Sequence, residues 1–298
     1  MNRLIDTGFP VPLPGSSEPS AYRGTRVALL TQHGKERVIA PVLASALHCH
    51  IELVEGFDTD RLGTFTRDVP RDGTQIEAAR KKARIGMELS GMSHGLASEG
   101  SFGPDPFTGL LPWNTEVIVF LDDVLGIEVI GSARGHAVSA HRVVVGWEEI
   151  EAFARSVDFP AHQLVVRPED SEDPRILKGV TDWAALKAGH SWAARLSADG
   201  RVFVEVDLRA HANPTRMAVI RSAAEDLAAR LVSVCPECGA PGFGTVERVA
   251  GLPCSECGAP TRETKAEVWA CVRCAHRIVR DRPGHSYADA GVCDHCNP

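Results

Sequence analysis

The chain has 298 residues, 44% hydrophobic and 24% charged, which is enough to bury a substantial core and to append a small second domain. A formal net charge of −7 provides no global positive field to gather nucleic acid or an anionic membrane, so a polyanion would need a local patch. No apolar run reaches the length of a membrane span or a secretion signal, and eight of the nine cysteines fall in Cys-x-x-Cys pairs, so the chain reads as cytoplasmic and reducing.

In chain order, residues 1–24 are rich in proline and serine and read as a flexible leader. Residues 25–232 alternate short β-branched runs with longer amphipathic ones, the pattern of a mixed α/β domain. A buried strand is expected over 26–31, a helix over 37–47 and a strand over 51–55. A helix over 74–90 starts at Thr74, with Glu77 three residues on completing a capping box, and ends near Gly91. A short strand over 95–98 leads into a segment with Gly100, Gly103, Pro104, Pro106 and Gly109, which reads as a loop. A hairpin turns across Asp122 and Asp123, a helix covers 147–156, strands cover 163–167 and 201–207, and a last long helix starts at Asn213-Pro214.

Residues 233–298 hold the strongest signal. Cys235/Cys238, Cys254/Cys257, Cys271/Cys274 and Cys293/Cys296 are four knuckles with the spacing of a double zinc ribbon. Two residues between thiolates let one tight turn aim both sulfurs at a tetrahedral ion, so eight cysteines imply two structural zinc ions. Sequential pairing of the knuckles closes the shorter loops, and pairing of the second with the third is the alternative. His276, His285 and His295 are read as solvated rather than as ligands, and Cys49, between His48 and His50, as a small buried hydrophobe. From residue 231 onward seven Arg and Lys face eight Asp and Glu, which weakens a phosphate-backbone role; only the run Arg273, Arg277, Arg280, Arg282 offers a local patch.

Three features of the larger domain suggest chemistry. The turn Thr31-Gln32-His33-Gly34-Lys35-Glu36 places a hydroxyl, a glycine and a lysine before a helix N-terminus, a combination suited to phosphate. Glu77 sits on the next helix, where its plain alternative role is the cap. Ala97-Ser98-Glu99-Gly100-Ser101-Phe102-Gly103-Pro104-Asp105 brings acids to the end of a strand, where open α/β sheets place ligands. Glu77 and Glu99 together would suit Mg²⁺, with Glu99 or Asp105 orienting water. Phe65 and Phe102 could stack on a base.

With its T-Q-H-G-K-E, F-D-T-D-x-x-G-T-F-T and A-S-E-G-S-F-G-P-D-P stretches, the chain resembles an uncharacterised bacterial family with a zinc-ribbon tail. More remotely it resembles the inosine triphosphate pyrophosphatase-like proteins, with their mixed sheet, T-x-N-x-x-K phosphate loop, E-N-A-x-x-K-A helix and strand-end acids. That resemblance implies substrate contacts at Thr31, His33, Lys35, Lys82, Ser98 and Ser101, a base contact at His211 and Arg216, and Mg²⁺-dependent splitting of a nucleotide. His33 stands where that family has Asn, the lysine comes one residue early, Ala78 replaces Asn, and Ser98 replaces one acid. The expectation is therefore a metal-dependent hydrolase of a nucleotide or related phosphoanhydride, with no membrane partner. The alternative is a non-enzymatic nucleic-acid- or protein-binding zinc-ribbon protein.

Overall fold

The computed structural model describes residues 21–59, 73–106 and 108–298. The expected leader, apart from its last four residues, and Phe65 lie outside these. The chain divides into a larger unit, Tyr22–Val124 with Ile130–Ala228, and a smaller one of which Ala21, Leu125–Val129 and Ala229–Pro298 are described.

The larger unit contains two sheets. The first has the order β2-β1-β3-β4-β5. Strand β1 (Arg26–Leu29) runs parallel to β2 (His50–Leu53) and β3 (His94–Pro104), while β4 (Pro112–Asp122) is antiparallel to β3, and β5 (Ile127–His136) closes the order. Helix α1 (Glu36–Leu47) makes the crossover from β1 to β2, a connection that parallel strands require. Helix α2 (Gln75–Ser90) starts as expected. Thr74 Oγ1 accepts from the Glu77 amide at 3.2 Å, Glu77 Oε2 accepts from the Thr74 amide at 2.7 Å, and Gly91 ends the helix at φ 69°. Its inner face packs Ala79, Ala83 and Met87 on Ala97, Val117, Val119 and Leu121.

One expectation needs correction. The glycine-rich segment after Ser98 is not all loop: β3 continues for eleven residues to Pro104, paired throughout with β4. Two of its glycines, Gly95 and Gly100, serve close approach rather than turning. A Cβ on Gly95 would lie 2.4 Å from Met87 Cγ, and one on Gly100 would lie 2.1 Å from Glu116 Oε1.

Residues 137–212 supply the strands of the second sheet. They form an antiparallel sheet of their own, β6-β9-β7-β8, from His141–Val144, Val202–Val206, Leu164–Pro168 and Leu177–Val180. Helices α3 (Trp147–Ser156) and α4 (Trp183–Leu196) pack on it around Ile150, Phe153, Leu164, Val166, Leu186 and Val204. Helix α5 (Pro214–Val232) follows, with Leu227 against Gly131. No described helix is long and apolar enough to cross a membrane.

In the smaller unit, β10 (Gly244–Ala250), β11 (Thr264–Ala270) and β12 (Arg277–Asp281) form an antiparallel sheet.

Candidate functional site

The eight paired cysteines gather into two quartets, Cys235, Cys238, Cys271 and Cys274, and Cys254, Cys257, Cys293 and Cys296, with the four sulfurs of each within 4.8 Å of one another. Sγ–Sγ separations are 3.8 Å for Cys235–Cys274, 3.6 Å for Cys238–Cys271, 3.9 Å for Cys254–Cys296 and 3.7 Å for Cys257–Cys293. These are far longer than a disulfide and match the tetrahedron edge of about 3.8 Å that follows from metal–sulfur bonds of about 2.3 Å. Each quartet can therefore hold a metal ion, and both are built from cysteine alone. The amides of Gly239, Gly258 and Asn297 bond back to the carbonyls of Cys235, Cys254 and Cys293, closing the same tight turn three times.

The pairing is neither of those expected: the first knuckle joins the third and the second joins the fourth. The reason lies in the sheet. In the β10–β11 hairpin Gly244 pairs with Ala270 at one end and Ala250 lies opposite Thr264 at the other. The first knuckle, before β10, thus meets the third, after β11. The second knuckle sits at the far end, to which β12 returns the chain before the fourth. A seven-residue strand spans about 20 Å, so consecutive knuckles are held apart however short the segment between them.

In the larger unit the C-terminal end of β1 opens into a turn where His33 and Gly34 both adopt positive φ, 65° and 75°. This folds the chain so that Lys35, 6% exposed, turns inward. Its Nζ lies 3.2 Å from Ser98 Oγ on β3. Burial, then the Arg216 charge, lower Lys35 from 10.5 to about 8, while Glu116 and Glu99 act in the opposite direction. Arg216, 1% exposed in the first turn of α5, donates from Nε to Glu116 Oε1 at 2.7 Å and from Nη1 to the Leu208 carbonyl at 2.6 Å. Asn114 Nδ2 donates to the same Glu116 oxygen at 3.1 Å and to the Ser101 carbonyl at 3.0 Å.

Alternation along β3 and β4 sorts these groups. Gly100 pairs with Glu116, so Ser98, Gly100, Asn114 and Glu116 share the face that meets Lys35 and Arg216. Glu99 points to the other face, toward α2, where its Oε1 accepts from Lys82 Nζ at 2.7 Å, both side chains being buried. On the first face, among the described residues, Lys35 and Arg216 stand beside the Glu116 carboxylate. At the rim the His33 and His211 rings lie 5.3 Å apart, and burial, Arg209 and His33 all lower the His211 pKa. Asp207, 0% exposed, accepts from Arg209 Nη2 at 2.5 Å.

Of the residues expected to form a site, the structure gathers His33, Lys35, Ser98 and Arg216 on one face, places His211 at its rim, and sets Lys82 with Glu99 across the strand. Thr31 bonds the neighbouring Gln32 carbonyl at 3.4 Å, and Ser101 contributes its carbonyl to Asn114. Phe102 lies under the Arg216 guanidinium at 6.0 Å.

Glu77 and Asp105 do other work. Glu77 is exposed on the outer face of α2 beside Arg80 and Lys81, and the Thr74 amide, which holds its carboxyl below the usual range, commits it to the cap. Glu99 is buried against Lys82, so each of the two acids expected to share Mg²⁺ has another partner. Asp105 accepts from the amides of Thr108, Leu110 and Leu111 at 2.7 to 2.9 Å and from the Thr108 hydroxyl, which makes it the knot of the β3–β4 turn rather than an acid facing water. Asn114 and Glu116 were not anticipated. A polar pair two apart in an apolar run, Asn114-Thr-Glu116-Val-Ile-Val, is the one sign of them in the sequence.

The fold and its cysteine quartets define a mixed α/β protein with a C-terminal module that could hold two metal ions. The chain belongs to the family described as a domain of unknown function, DUF6671, which matches residues 82–298. None of the curated proteins compared matches the sequence.

Proposed function

We propose that the α/β unit binds a phosphate-bearing small molecule, a nucleotide in the first instance, at the turn between β1 and α1, and hydrolyses its phosphoanhydride. The cysteine module is then a double zinc ribbon whose two ions are structural. The carrying observation is the buried pair of cations Lys35 and Arg216, which among the described residues meet Glu116 beside the turn between β1 and α1. Buried cations are costly, and a bound phosphate offsets that cost while replacing its own lost water. The same two charges would oppose the negative charge that grows as a phosphoanhydride is cleaved. Hydrolysis also draws on the resemblance of the turn and the strand-end segment to the inosine triphosphate pyrophosphatase-like proteins.

Calorimetric titration of the full chain with inorganic tripolyphosphate and a panel of nucleoside triphosphates tests the binding step, and pyrophosphate release tests the reaction. Lys35→Ala should weaken tripolyphosphate on the order of 10- to 100-fold, the size of a lost charge-assisted bond. Absence of binding by the wild type across the panel ends the reading.

The rival reading, a ribbon that recognises nucleic acid, draws little support from its arginines. Arg282 Nη1 lies 2.7 Å from Glu263, Arg277 lies 3.9 Å from Glu247, and Arg280 covers the Trp269 ring at 4.2 Å. Nucleic-acid retention that falls steeply with added salt would favour it nonetheless.

A further inference from the structure

Glu116 and Asn114 are both 0% exposed, and each keeps one acceptor, Oε2 and Oδ1, that has no hydrogen-bond donor among the described residues. Buried acceptors of this kind are uncommon and call for an explanation. The amide of Asn114 cannot be turned around to remove the deficit, because its Nδ2 already serves the Ser101 carbonyl and Glu116 Oε1. The other Glu116 oxygen is held by Arg216 Nε. Both side chains are thus fixed, two residues apart on one face of β4, with their second oxygens left over. Gly100 opposite leaves room for the Glu116 and Arg216 side chains, since a Cβ there would strike Glu116 Oε1 at 2.1 Å and Arg216 Nη2 at 2.7 Å.

These leftover acceptors stand beside the cations Lys35 and Arg216. A ligand suited to the whole cluster carries phosphate and, a short distance away, two hydrogen-bond donors. A ribose diol meets that requirement, and a buried carboxylate is the usual acceptor for a ribose hydroxyl. We infer that Glu116 and Asn114 receive the ribose hydroxyls of a ribonucleotide and make the site select ribo- over 2′-deoxyribonucleotides. This inference rests on the phosphate-binding reading and adds to it a specificity carried by two residues of β4.

The experiment compares the full chain's affinity for ATP, 2′-deoxy-ATP and inorganic tripolyphosphate, in wild type and in Glu116→Gln, which keeps the shape and an oxygen for Arg216. Wild type should favour ATP over 2′-deoxy-ATP on the order of 10- to 100-fold, as a lost bond to a charged acceptor predicts. In Glu116→Gln the preference should shrink toward parity while tripolyphosphate is bound as tightly as by wild type or more tightly, because one negative charge has left the cluster. Equal affinity of wild type for the two nucleotides, with tripolyphosphate bound, overturns the inference and leaves the phosphate reading intact. A preference that survives Glu116→Gln also overturns it, and loss of all three ligands from wild type removes both readings. Should the variant fail to fold, the wild-type comparison decides by itself.

Discussion

The cysteine module and the charge cluster of the α/β unit solve the same problem, holding groups together that repel or resist burial, by opposite means. The module groups eight of its sulfurs, from four short knuckles, into two quartets that an ion could join. Cys254 shows why the ion matters: amides of Cys257 and Glu256 lower it to about 7, while Cys296 of the same quartet is pushed up to about 12, because neighbouring thiolates cannot all carry charge without a cation. The α/β cluster joins its charges directly. It pairs Arg216 with Glu116 and Lys82 with Glu99 across 100 and 17 residues of chain, so its integrity depends on two strands, two helices and a turn being in register. The first arrangement is local and modular, and the second is a property of the whole core.

Breaking the module should have the largest effect. Metal binding in small cysteine sites is linked to folding free energies on the order of 10 kcal/mol, so chelation should unfold residues 233–298 while the α/β unit keeps its amide signals, a pattern that two-dimensional NMR resolves. Crossed pairing gives a sharper test through bound-metal content. The double variant Cys238→Ser/Cys271→Ser should retain one ion per chain, whereas Cys238→Ser/Cys257→Ser should retain none. Sequential pairing predicts the reverse.

In the charge cluster, Arg216→Met strands a buried Glu116 and should cost about 3–5 kcal/mol in urea denaturation, with metal content unchanged. Gly100→Ala should cost about 1–3 kcal/mol by forcing Glu116 and Arg216 out of their contacts, and should weaken tripolyphosphate binding as well.

Lys35 gives a pH signature. Its folded pKa of about 8 lies below the ordinary 10.5, so between these values the unfolded chain binds more protons than the folded one. The stability penalty of burying its charge is complete below pH 8 and is relieved as pH rises toward 10.5. Wild type should accordingly gain stability over Lys35→Met across that window, and a constant difference between the two would remove Lys35 from the buried cluster.

The smallest effect separates the cap from the site. Thr74→Ala should cost about 1 kcal/mol through the end of α2 and leave ligand affinity unaltered, as should Glu77→Ala.

Much of the fold was legible. The capping box at Thr74 and Glu77, the helix over 147–156 and the start of α5 are local devices, and local devices can be read from a few consecutive residues. Burial of Cys49 between exposed His48 and His50 followed from alternation in the same way. The eleven-residue β3 was not legible, because its glycines answer to Met87 and Glu116 rather than to their own neighbours. Glu77 illustrates the converse: its chemistry allowed either a cap or a metal ligand, and only the position of α2 on the sheet determined which face it would occupy.

By itself the sequence determined which sulfurs could bind metal, since two-residue spacing is a covalent constraint that tertiary context cannot undo. It also determined where helices begin, through side chains that satisfy their own backbone. Tertiary structure decided which knuckle meets which, because antiparallel strands are stiff spacers that separate near neighbours and join distant ones. It likewise decided which acids are buried: Glu116 and Glu99 are paired by residues 100 and 17 positions away, and no local rule encodes the face of the sheet on which those partners arrive.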